Sequence, residues 1–162
     1  MNLAGDDGVN ATEPELSFVS SLQQSCFCPC LKGHDKVAVI TELVDELARN
    51  GLLGDRDGVL ASVLEREALM STGMQSGIAL PHGKHVSAAG LVSVIGVSPA
   101  GVEFESLDGQ PSRVFVMTVS SPNTVGPHLR FLASVGRLLG RAEIRDAVLA
   151  ATDKAALMRA LA

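Results

Sequence analysis

Apolar positions along the chain repeat with two periods, and these periods place the elements. Between Lys36 and Arg49, the residues Val37, Ile40, Val44 and Leu47 keep helical spacing. Asp35 stands where an N-cap belongs, and Gly51 follows as a stop. The same spacing predicts a helix from Asp55 to Glu67, with Val59, Leu60, Val63 and Leu64 inward. A third helix starts at Pro127, since proline favours the first turn. It runs to Leu139, with Phe131, Leu132, Val135 and Leu138 inward and Gly140 as its stop. Two shorter helices are predicted over Ala142 to Ala150 and Asp153 to Leu161, the last capped by Thr152.

Other segments read as strands. Leu91 to Ser98 is rich in β-branched residues, and Arg113 to Val119 is the clearest buried strand. Val102 to Glu105 reads as a short strand before the turn signal Asp108-Gly109. Cys26 to Leu31 reads as an edge strand, because Pro29 has no N–H for a central ladder. Residues 1 to about 15 are polar, and Leu16 to Leu22 is a short apolar turn or helix. The expected organisation is a loosely ordered leader over residues 1–25 and one domain over residues 26–162. Helices, then strands, then helices imply a sheet covered by helices.

One stretch, Ser71 to His85 (S-T-G-M-Q-S-G-I-A-L-P-H-G-K-H), organises the rest. The run Ile78-Ala79-Leu80 reads as a buried strand that ends at Pro81-His82-Gly83. Pro81 fixes its own φ and pushes Leu80 towards an extended conformation. Gly83 permits a turn or a close backbone approach. His82 therefore sits at a strand end in a stiff frame, although a lone turn histidine is more simply a half-solvated one.

Charge and composition narrow the function. Thirteen Lys and Arg against 18 Asp and Glu give a net charge of −5, which argues against a nucleic-acid partner. With no Trp or Tyr and only five Phe, base-stacking platforms are not expected. No apolar run reaches the roughly 20 residues of a bilayer helix, so no direct membrane insertion is expected. A basic, apolar secretory signal is absent too, which points to the cytoplasm. Cys26, Cys28 and Cys30 with His34 have two readings. A metal clip is one, but zinc sites favour wider cysteine spacing. The default is a strand with all three sulfurs on one face, and no metal or cofactor is expected.

His128 falls in the first turn of a predicted helix, where N–H groups and the dipole favour an anion. Arg66 lies near the start of the His82 stretch. Singly, these are a surface helix residue and a solvated helix end. Together, two histidines and an arginine around a glycine-rich turn make a phosphate site. No P-loop, H-E-x-x-H, C-x-x-C or G-x-S-x-G is present. His85 is an extra histidine, either solvated or tuning His82.

The run R-E-A-L-M-S-T-G-M-Q-S-G-I-A-L-P-H-G-K, from Arg66 to Lys84, resembles the mannitol/fructose-type (type 2) enzyme IIA domains. These belong to the bacterial phosphoenolpyruvate-dependent sugar phosphotransferase system and include its nitrogen-regulatory branch. The likeness continues in Gly101 to Pro111, Val114 to Pro122 and His128 to Leu139. It implies an α/β (α+β) fold with a mixed β-sheet flanked by helices, and a phosphotransferase built as a histidine phosphocarrier. The histidine matching His82 takes the phosphoryl group from HPr, an upstream phosphocarrier protein, and passes it to a IIB domain. The second active-site histidine falls on His128 and the arginine on Arg66, with Gly83 and Thr72 as further phosphate-binding positions. A shallow apolar rim of Leu80, Val125 and Met74 is expected to dock the partner. The alternative is a regulatory phospho-switch that controls partner proteins and delivers no phosphate to a sugar. A chain without IIB and IIC segments fits both and leans towards the switch.

Overall fold

The computed structural model describes residues 20–162. After a helical stretch at residues 20–23, the elements are β1 (Cys26–Cys28), α1 (Lys36–Arg49), α2 (Arg56–Leu69), β2 (Ile78–Ala79), β3 (His82–Lys84), β4 (Leu91–Val102), β5 (Ser112–Ser120), α3 (Val125–Leu139), α4 (Ala142–Ala150) and α5 (Lys154–Leu161). The strands form one sheet in the order β1-β4-β5-β2, with β3 also paired to β5. β4 and β5 are antiparallel. β1 lies parallel to β4, and β2 and β3 lie parallel to β5. The α/β fold is thus a mixed sheet flanked by helices, as the sequence led one to expect.

The period-two alternation of β5 divides the core. Phe115, Met117 and Val119 pack with Ile40, Leu43 and Leu47 of α1 and with Val59 and Val63 of α2. Val114 and Val116 face the other way, towards Phe131, Val135 and Leu139 of α3. Helices cover both faces, so β5 reads as a continuous apolar run.

Caps and boundaries follow local chemistry. Asp35 accepts from the Ala38 N–H at 2.8 Å, and Asp55 accepts from the Gly58 N–H at 2.9 Å. The last helix is capped by Asp153, whose carboxylate accepts from the Ala156 N–H. Thr152 therefore does not cap it, because the helix begins one residue later than expected. α3 starts at Val125, two residues before Pro127. α2 runs on to Leu69, two residues past the expected end at Glu67, and Glu67 is buried. The short strand expected over Val102 to Glu105 is not formed, because residues 103–105 leave the ladder. β4 runs past the expected end at Ser98 to Val102, with a register shift between Val97 and Val102. Gly101, at φ 79°, lies within that irregularity.

The cysteine run is corrected as well. β1 is an edge strand, but it covers only Cys26–Cys28. Pairing resumes past Pro29, where the Leu31 N–H donates to the Val97 carbonyl. Cys26 is buried, Cys28 half-buried and Cys30 exposed, so the three sulfurs do not share one strand face. Burial, with Glu46 adding to it, pushes the Cys28 thiol up to about 12. Among the described residues, no three His, Cys, Asp or Glu side chains are grouped to hold a metal ion. Residues 1–19 of the expected leader lie outside the described residues. Within residues 20–25, Leu22 is buried, and the buried Ser25 hydroxyl lies 2.6 Å from that of Ser93. Among the described residues, no helix is long and apolar enough to cross a membrane.

Candidate functional site

The line from Ile78 to Lys84 runs along β5 and is interrupted at Leu80-Pro81. It does not end at Pro81-His82-Gly83: pairing resumes, with His82 in register with Thr118 and Lys84 with Ser120. The interruption releases the Leu80 carbonyl, and His82 Nδ1 lies 2.9 Å from that oxygen. A carbonyl only accepts, so Nδ1 carries the proton and Nε2 holds the free lone pair. Burial lowers the affinity of this half-buried ring for a second proton. The Leu80 hydrogen bond and Glu67 oppose that effect, while Arg66 and Lys84 add to it. Near neutral pH the ring is neutral.

Gly83 lets α2 come close. A Cβ there would lie 3.0 Å from Val63 Cγ2 and 3.1 Å from the Val63 backbone nitrogen. Ser62 of α2 donates to the Lys84 carbonyl at 2.7 Å and accepts from the Lys84 N–H at 3.2 Å. Arg66, one turn further along α2, is thereby held beside His82. Its Nη1 donates to the Met70 carbonyl at 2.9 Å.

His128 comes from α3 and points inward. It heads the stripe continued by Phe131, Val135 and Leu139, and is only 2% exposed. Its Nε2 lies 2.6 Å from Thr118 Oγ1, and its Nδ1 lies 2.9 Å from Ser120 Oγ. Its ring meets that of His82 edge to face, with centroids 5.5 Å apart. Burial first, then His82 and Lys84, lower its titration to about 4. His128 is thus a neutral ring clamped to the sheet. Its backbone N–H bonds to the Thr124 carbonyl, so it does not serve an anion at the helix end.

A cleft of about 370 Å³ opens over His82 and His128, with Arg66, Glu65 and Lys84 around it. Its apolar rim is not the expected one. Leu80 is buried in the core, Met74 does not line the cleft, and the side chain of Val125 lies outside the described residues. Leu69 and Leu129 form the rim instead, at 83% and 63% exposed. Gly83 lines the cleft, but Thr72 does not. The N–H and hydroxyl of Thr72 both go to Glu67, with the N–H donating at 3.0 Å. His85 neither is fully solvated nor belongs to the cleft. Its Nδ1 accepts from the Ser87 N–H, and its Nε2 lies 3.6 Å from Asp55, bracing the loop against α2.

Sequence reasoning missed Lys84, Thr118 and Ser120. The signal for the two hydroxyls lies in β5 itself. On the face that carries Val114 and Val116, the alternation continues with Thr118 and Ser120. A buried strand that turns polar on one face towards its end needs a polar partner there.

Residues 20–162 match the family described as "Phosphoenolpyruvate-dependent sugar phosphotransferase system, EIIA 2". A "PTS system fructose-specific EIIABC component" of Bacillus subtilis is 37% identical over 128 residues, 79% of this chain and 20% of that much longer protein. A "Nitrogen regulatory protein" of Bradyrhizobium diazoefficiens is 30% identical over 83% of this chain and 87% of its own length. Among solved structures, the complex of enzyme IIAMTL and phosphorylated enzyme IIBMTL from Escherichia coli shares the fold. Its TM-score is 0.71 at 19% identity, covering 86% of this chain and 94% of that one. On the family match across all the described residues, this chain is a member of the EIIA type 2 family of the phosphoenolpyruvate-dependent sugar phosphotransferase system.

Proposed function

We propose that the protein is a phosphoryl carrier that accepts a phosphoryl group on His82 Nε2 from an HPr-like phosphocarrier and passes it to a IIB domain. One observation carries this reading: the Leu80 carbonyl holds the proton on Nδ1, leaving a neutral imidazole with its lone pair on the other nitrogen. That is the state a histidine nucleophile needs. Arg66 and Lys84 supply positive charge around the cleft, where an in-line transfer spreads negative charge over the phosphoryl oxygens. Donor and product are both phosphohistidines, so the transfer is near balance. Gly83 contributes by letting α2, and with it Arg66, approach. The exposed Leu69 and Leu129 suit a docking protein.

A second reading, the regulatory phospho-switch, draws support from the nitrogen regulatory relative, which this chain matches over most of that protein's length. The two share the labelling step and differ in discharge. Incubation with phospho-HPr followed by mapping of the acid-labile phosphate tests the first. Label is expected on His82 and absent from His82→Ala; undiminished labelling of that variant overturns the assignment. Discharge of the labelled protein onto a IIB domain supports the carrier, and retention of the label in its presence supports the switch.

A further inference from the structure

We propose that arrival of the phosphoryl group on His82 draws a proton from solvent onto His128, and that Thr118 and Ser120 are the positioning residues that let this ring change charge without moving. The inference rests on the phosphoryl-carrier reading above. The geometry behind it is a hydroxyl at each ring nitrogen, 2.6 Å and 2.9 Å away, with both hydroxyls fully buried. A hydroxyl donates or accepts according to how its proton is turned. A neutral imidazole needs one donor and one acceptor, whereas an imidazolium needs two acceptors. Two hydroxyls satisfy either state with the heavy atoms fixed. A carbonyl, like the one that holds His82, would satisfy only a protonated nitrogen.

The charges that face His128 set the direction. From β3 come His82 and Lys84, and from α2 come Arg66 and Glu65. Burial first, with His82 and Lys84 adding to it, keeps the resting ring neutral. In the transfer, the His82 Nε2 lone pair forms the new N–P bond while the donor's N–P bond breaks. That electron pair returns to the donor ring, which leaves as neutral imidazole with a proton on its other nitrogen. His82 keeps its Nδ1 proton on the Leu80 carbonyl. The phosphoryl oxygens bring two negative charges, and the His82 ring, now substituted at both nitrogens, carries one positive charge. The site therefore gains one net negative charge beside His128, and in a buried setting that favours its protonation.

The test is NMR of the imidazole nitrogens in the free and phospho-HPr-phosphorylated full chain, across a pH series. His128 is expected to titrate near 4 when free and at or above the ordinary 6.5 when phosphorylated. If phosphorus sits on His82 and His128 stays neutral in both forms, the proposal fails and the carrier reading stands. If phosphorus sits on another residue, both fail. Thr118→Val and Ser120→Ala should each slow labelling about tenfold at pH 7.5 and recover as the pH falls towards 6. Thr118→Ser should keep the wild-type profile. An equal loss at every pH would make the hydroxyls merely structural and overturn their assigned role.

Discussion

At the scale of single residues, the site depends on a side chain that is missing. Gly83 sits where β3 crosses α2, and the atoms nearest an added methyl include the Val63 backbone nitrogen at 3.1 Å. Backbone in a helix cannot give way as a side chain does. Gly83→Ala should therefore lower stability by about 1–3 kcal/mol, as overpacking does, and should slow labelling, because His82 is its neighbour. Gly96 offers a contrast. There an added methyl meets the ends of Leu43 and Leu31, at 2.8 Å and 2.9 Å, and leucine side chains can rotate aside. Gly96→Ala should lose less stability and leave labelling near wild type. Urea unfolding of both variants checks the order, and a Gly96→Ala loss equal to or larger than that of Gly83→Ala would refute it.

At the scale of elements, the end of α2 is fixed by a buried ion cluster. The Glu67 carboxylate takes the N–H and hydroxyl of Thr72 and pairs with Lys36 Nζ at 3.0 Å. Lys36 also lies 4.8 Å from the centroid of the Phe104 ring. The segment from Met70 to Thr72 is thereby fastened at the end that Arg66 grips through the Met70 carbonyl. Glu67→Gln leaves the Lys36 charge without its buried partner and should cost about 2–3 kcal/mol, somewhat below a fully buried pair because Lys36 is partly exposed. Adding Lys36→Met should restore part of that loss in urea unfolding; no recovery would mean that the pair is not coupled. None of this was legible in the sequence. Arg66 read singly as a solvated helix end, and only the fold brings Lys36 against the neighbouring Glu67. The helix over Lys36–Arg49 was legible because its signals are local: the Asp35 cap, the spacing and the stop after it. The strand from Leu91 was expected to stop at Ser98, but the hairpin with β5 carries it on to Val102, and residues 103–105 are not strand. From the sequence His128 reads as a first-turn residue, either beside N–H groups that favour an anion or on the helix surface. Its place at the head of the stripe Phe131, Val135 and Leu139 would have turned it towards the sheet.

At the scale of the whole molecule, the two histidines couple stability to pH. His128 titrates at about 4 in the fold against an ordinary value of 6.5. Between those values the unfolded chain binds more protons than the folded one, so stability rises with pH. The contribution is fully present above pH 6.5 and is lost as pH falls towards 4. It amounts to about 3 kcal/mol at most, a sizeable share of the 5–15 kcal/mol typical of a domain. His82 is shifted in the same direction and adds to the slope. Carboxylates stay largely ionised between pH 7 and 5, which isolates the histidine effect there. Urea midpoints should therefore fall as the pH goes from 7 to 5, and His128→Gln, which does not titrate, should flatten the decline. A wild-type midpoint that stays level across that range would contradict the burial argument. The phosphorylated protein supplies a further control, since protonation of His128 in both folded and unfolded states would remove its part of the slope. Stability of the loaded protein should then depend less on pH than that of the free one over the same range.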